Sequence, residues 1–65
     1  MITNLLKDWH IEKIYGAVFI IGKVYNDIKN RFSDGTEIRT SQVLKADFVN
    51  GVVETRNSVY NLEVE

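Results

Sequence analysis

The chain has no cysteine and no proline, and among its 65 residues there are only four glycines, one histidine and one tryptophan. Without cysteine there can be no disulfide and no thiolate metal centre, and a reducing compartment suits the composition. A single histidine, His10, cannot build a multi-histidine metal site. Lack of proline leaves the loops without rigid punctuation. No long apolar run occurs: residues 17–21 form the longest stretch, far too short to span a bilayer. No basic segment precedes a long apolar one, so neither a secretory signal nor a membrane contact is expected, and the cytoplasm is the expected location. A strong charge of either sign is missing too. Eight Lys plus Arg stand against nine Asp plus Glu, for a formal charge of −1, whereas a small DNA-binding domain would be basic.

What is present describes an ordered single domain, residues 1–65, near the lower size limit for a self-sufficient core. Apolar residues make up 45% of the chain, too many for a disordered one. A homo-oligomer is expected to supplement so small a core. Between residues 25 and 59, turn signals recur at Asn26-Asp27, Asp34-Gly35 and Asn50-Gly51, with a fourth at Asn57-Ser58. They separate runs that alternate apolar and polar, the rhythm of antiparallel hairpins.

The expected fold class is all-β with a short N-terminal helix over residues 1–9. A five-stranded antiparallel meander over 11–64 then curls into a small SH3-like barrel or rolled sheet. Leu5 and Trp9, four residues apart, would share one helix face capped by Thr3 or Asn4, with Trp9 plugging the core. From Ile11 onward β-branched and aromatic residues dominate, and Gly16 and Gly22 read as bends within one long strand. A turn at Asn26-Asp27 would set Tyr25 opposite Ile28 and Ile21 opposite Phe32. A three-residue loop around Asp34-Gly35 would place Arg31 opposite Glu37. Asn50-Gly51 would pair Phe48 with Val53, and Asn57-Ser58 would pair Val53 with Leu62 and Thr55 with Tyr60. Glu63-Val64-Glu65 would protect a sheet border with charge. An α+β alternative makes residues 42–48 helical, since Leu44, Lys45 and Ala46 are good helix formers.

Enzyme constellations are missing, so a non-enzymatic role without cofactor or metal is expected. There is no phosphate-binding glycine loop and no Gly-x-Ser-x-Gly elbow, and Asp27, Asp34 and Asp47 sit where turns use aspartate for backbone hydrogen bonds. The candidate contact residues are Arg31, Arg39, Arg56, Asn57, Ser58 and Tyr60. Arg56 offers a planar donor fork beside the amide and hydroxyl of Asn57 and Ser58, a tip suited to a carboxylate, phosphate or partner backbone. If Arg39 and Arg56 converge, within the chain or across an oligomer, they form a small anion-binding patch. The plain alternative pairs these arginines with Glu37 and Glu54 as solubilising surface charge. Tyr15, Tyr25 and Tyr60 with Lys23, Lys29 and Arg56 could also stack and neutralise a nucleic acid.

The run Gly22-Lys23-Val24-Tyr25 with Arg31-Phe32-Ser33-Asp34-Gly35-Thr36-Glu37-Ile38-Arg39-Thr40-Ser41 resembles small accessory proteins encoded by tailed bacteriophages and prophages. Residues 53–62, Val-Glu-Thr-Arg-Asn-Ser-Val-Tyr-Asn-Leu, are similar to the C-terminal half of such proteins. The likeness covers about half the chain. It implies a product acting inside a bacterial host cell by binding a host protein, a defence factor among them, and inhibiting or redirecting it. The second expectation is an oligomeric sponge for a nucleotide or other small anionic ligand, and the third a nucleic-acid-binding barrel.

Overall fold

The computed structural model describes residues 2–63, so Met1, Val64 and Glu65, with the border proposed at the last two, lie outside the described residues. Six strands occur among the described residues: β1 (Leu5–Ile14), β2 (Ala17–Tyr25), β3 (Thr36–Arg39), β4 (Val43–Asp47), β5 (Val52–Thr55) and β6 (Val59–Leu62). They form one sheet in the order β3-β2-β1-β6-β5-β4. Neighbours are antiparallel except β1 and β6, which run parallel through Leu5–Asn61 and Leu6–Leu62. The fold is therefore all-β, as the alternation implies, but it is not a pure meander: the chain passes from edge strand β3 to the opposite edge strand β4. The sheet stays open. It rolls far enough for β4 to pack against β2 and for the Phe48 ring to stack on Trp9, centroids 6.0 Å apart.

The expected N-terminal helix is a strand instead. Leu6 is fully buried while Leu5 lies on the other face, a period of two. β1 is bonded on both flanks at this point, and that ladder outweighs a two-turn helix that is marginal by itself. Residues 42–48 are likewise not helical, since β4 occupies most of them.

Gly16 closes a hairpin rather than bending a strand. Tyr15 (φ 47°) and Gly16 (φ 80°) are the two central residues between the pair Ile14–Ala17, the double positive φ of a type I′ turn. Gly22 faces a bulge where Asp8 and Trp9 oppose a single residue. A Cβ on Gly22 would meet Trp9 Cβ at 3.0 Å and the Lys7 carbonyl oxygen at 3.2 Å, so only glycine fits.

The Asn26-Asp27 and Asp34-Gly35 signals do not make hairpins. They begin and end one loop, residues 26–35, and β2 pairs across it with β3 through Ile21–Arg39 and Lys23–Glu37. Ile28 and Phe32 are thus loop residues, and Arg31 does not face Glu37. Asn50-Gly51 belongs to a longer turn that pairs Asp47 with Val52 and Ala46 with Val53, which takes Phe48 off the ladder. The last reversal is centred on Arg56-Asn57, giving Val53–Tyr60 and Glu54–Val59. This differs from the expected register by two residues, an even slip that keeps every side chain on its face. Leu6, Ile20, Val24, Ile38, Val53, Tyr60 and Leu62 form the core, with Trp9 and Val43 against it.

Candidate functional site

Three non-strand segments meet at one place: the start of loop 26–35, the link 40–42 between β3 and β4, and the turn 55–58. Asp27 organises the first. Its carboxylate has no side-chain exposure and accepts the backbone N–H of Arg31 at 2.7 Å and two guanidinium bonds, Nε at 3.2 Å and Nη2 at 3.0 Å. These bonds, the guanidinium's foremost, hold the Asp27 pKa at about 2, against burial, which pushes the other way. Asp27 raises the pKa of Arg31 in turn. Arg31 Nη2 also donates to the buried Tyr60 hydroxyl at 3.3 Å, tying the loop to β6.

Asn4 is the second anchor. Buried and at φ 50°, it accepts the Ile28 N–H at its Oδ1 (2.9 Å) and donates from Nδ2 to the Val59 carbonyl (3.0 Å). Asp34 Oδ1 accepts the Asn26 N–H at 2.8 Å, closing the loop across its mouth. On the far side Lys29 Nζ donates to the Asn57 carbonyl at 2.8 Å, and Asn57 Nδ2 donates to Ser41 Oγ. The Arg56 N–H reaches the Gln42 carbonyl at 3.2 Å. Thr55 Oγ1 accepts the Ser58 N–H and donates to the Ser58 carbonyl. Ser58 Oγ is buried with no partner among the described residues.

Five of the six sequence-predicted residues are therefore gathered here: Arg31, Arg56, Asn57, Ser58 and Tyr60. Arg31 and Tyr60 are spent largely on structure. Arg39 is elsewhere, on the outer face of β3, where Nη1 meets Glu12 Oε1 at 3.2 Å and the guanidinium lies over the Phe19 ring. Its carboxylate is Glu12, not Glu37, and no hydrogen bond joins it to Arg56. Sequence reasoning missed Asn4 and Asp27 as members of this end. The Asp27/Arg31 spacing of four was a readable signal, obscured by assigning both residues to a hairpin.

The three segments carry Lys29, Arg31 and Arg56 against Asp27 and Asp34, a local surplus of one positive charge in a chain of formal charge −1. Beside them Ile28 is 65% and Phe32 38% exposed. The arrangement can present cations and apolar surface on a fixed backbone. Two shallow hollows, of about 330 Å³ over Lys45, Val52, Glu54 and Val59 and about 310 Å³ over Ile2, Leu5 and Asn61, lie apart from these residues. Among the described residues no group of three or more His, Asp and Glu stands close enough to hold a metal ion, and no helix is long and apolar enough to cross a membrane. Compared with known proteins, the chain matches no family model, no curated protein and no solved structure, so the reading of this end rests on its own geometry.

Proposed function

We propose that the protein is a non-enzymatic binding protein that docks on a host bacterial protein, as the phage-protein resemblance implies, and inhibits or redirects it. The contact surface is the end built from loop 26–35, link 40–42 and turn 55–58. The observation that carries this is the pairing of exposed Ile28 and Phe32 with Lys29 and Arg56 on a loop already fixed by Asp27 and Asn4. A pre-ordered loop loses little entropy on association, and arginine beside an aromatic ring is the usual composition of a binding hot spot. The partner's complementary feature is an acidic surface with an apolar recess.

The test compares capture from bacterial extract by the native chain and by an Ile28→Asp/Arg56→Glu variant of unchanged circular dichroism. One stoichiometric protein retained by the native chain and lost by the variant supports the reading. Equal capture by both overturns the surface. Thermal stabilisation by nucleotides, abolished in Arg56→Ala, would replace this reading with an anion sponge, which needs Arg39 and Arg56 to meet at a subunit junction. Single-stranded nucleic-acid binding that weakens steeply with salt would replace it with the third expectation.

A further inference from the structure

β1 is ten residues long, yet β6 covers one flank of it only at Leu5 and Leu6. From His10 to Ile14 the strand is paired on its β2 side alone among the described residues. The direction of its free backbone groups follows from the turn. A two-residue hairpin loop makes Ile14 and Ala17 a hydrogen-bonded pair, and alternation then turns the N–H and C=O of Lys13 and Ile11 away from β2. The same phase is visible across the hairpin. Ile20, which pairs with Ile11, sends its N–H to Thr40 Oγ1 and its carbonyl to the Thr40 N–H, on the β3 side. Ile11 and Lys13 thus hold bonding groups aimed outward along a bare edge, the kind of edge that recruits another strand.

We propose that this edge pairs with the same edge of a second copy of the chain, antiparallel, about a two-fold axis at Ile11. The occupant is a second copy because the segment Trp9-His10-Ile11-Glu12-Lys13 complements its own reversal. With Ile11 opposite Ile11, His10 faces the second copy's Glu12 and Trp9 faces its Lys13, so acceptor meets imidazole and cation meets indole. Outward groups on odd positions allow other two-fold registers, and those centred on the charged residues of the segment are disfavoured. Centring on residue 12 sets Glu12 against Glu12, and centring on residue 13 sets Lys13 against Lys13, both like-charge pairs that disfavour a ladder. Ile11, 44% exposed in the single chain, is covered at the axis. The surface differs from the proposed contact end, so either can fail without the other.

A single-cysteine series reads the register, since the native chain has no cysteine. A hydrogen-bonded antiparallel pair holds its Cα atoms about 5.5 Å apart, within disulfide reach. In the same register the two residues 12 are about 8 Å apart and the two residues 13 farther still. Ile11→Cys is expected to cross-link to dimer under mild oxidation, with Glu12→Cys and Lys13→Cys remaining uncross-linked. Sedimentation of the native chain is expected to give twice the mass of one chain. Ile11→Lys, which places like charges at the axis, is expected to give a single-chain mass with unchanged circular dichroism. A native chain that stays monomeric at millimolar concentration overturns the proposal, as does cross-linking at residue 12 or 13 as fast as at residue 11.

Discussion

Asp27→Asn removes one charge while leaving the shape of the loop intact. In the folded chain the Asp27 pKa is about 2 against an ordinary value of 3.8, so the folded state binds its proton more weakly than the unfolded state. Stability from this group is fully present above about pH 4 and is lost as pH falls toward about 2. The difference corresponds to about 2 kcal/mol, and the solvent that reaches nearly a third of the Arg31 side chain screens it toward about 1 kcal/mol. Nearly a third of the Arg31 side chain reaches solvent, so after the substitution its guanidinium can hydrate. The variant should therefore lose about 1–2 kcal/mol at neutral pH, below the cost of stranding a fully buried charge. Urea unfolding followed by Trp9 fluorescence, repeated from about pH 6 down to about pH 2, gives both quantities. The native chain is expected to lose stability steeply below about pH 4, with the variant flatter over that interval. Parallel pH profiles, or equal neutral-pH stabilities, would refute the assignment of Asp27 as the loop's electrostatic anchor.

Three further substitutions test the backbone reading. Gly22→Ala drives a methyl group into the backbone of the β1 bulge at 3.0–3.2 Å and should lower stability by about 1–3 kcal/mol in the same urea assay. Tyr15→Asn suits the positive φ of the hairpin turn better than tyrosine and should raise the unfolding midpoint, by about 0.5 kcal/mol. Ser58→Ala deletes a buried hydroxyl that has no partner among the described residues, so thermal melting should show no loss and up to about 1 kcal/mol of gain.

Much of the sheet was legible because alternation depends only on side chains facing in or out. Val53, Thr55, Tyr60 and Leu62 fall on the inner side in both the expected and the observed register, since the slip at the Arg56-Asn57 turn is even. Turn chemistry was less specific. Asn26, at φ 55°, opens a ten-residue loop rather than a two-residue one, because Asp27 supplies acceptors that hold the wider excursion. Tyr15 hid the true first hairpin, since an aromatic residue is an unusual occupant of a left-handed position. The N-terminal helix failed for a non-local reason. Leu5 and Leu6 are claimed by a strand at the other end of the described chain, which no window around Trp9 reveals. Arg31, Arg56, Asn57, Ser58 and Tyr60 were found as a group through the polarity of the last turn, while Arg39 was misplaced because its partner, Glu12, lay in a segment assigned to a single bent strand.

The parallel seam between β1 and β6 has a consequence for how the protein is made. Each three-stranded half, β1-β2-β3 and β4-β5-β6, is adjacent in sequence and can zip soon after it leaves the ribosome. The seam joins Leu5 to Asn61, strands from opposite ends of the described chain, so it can knit only after both halves have been made. Until then the flank of the first strand that will receive the last one stays bare, in the most crowded environment the polypeptide meets. Mutations that slow closure of this seam, at Asn4 or Asn61, should lower the yield of native protein more than its stability once folded.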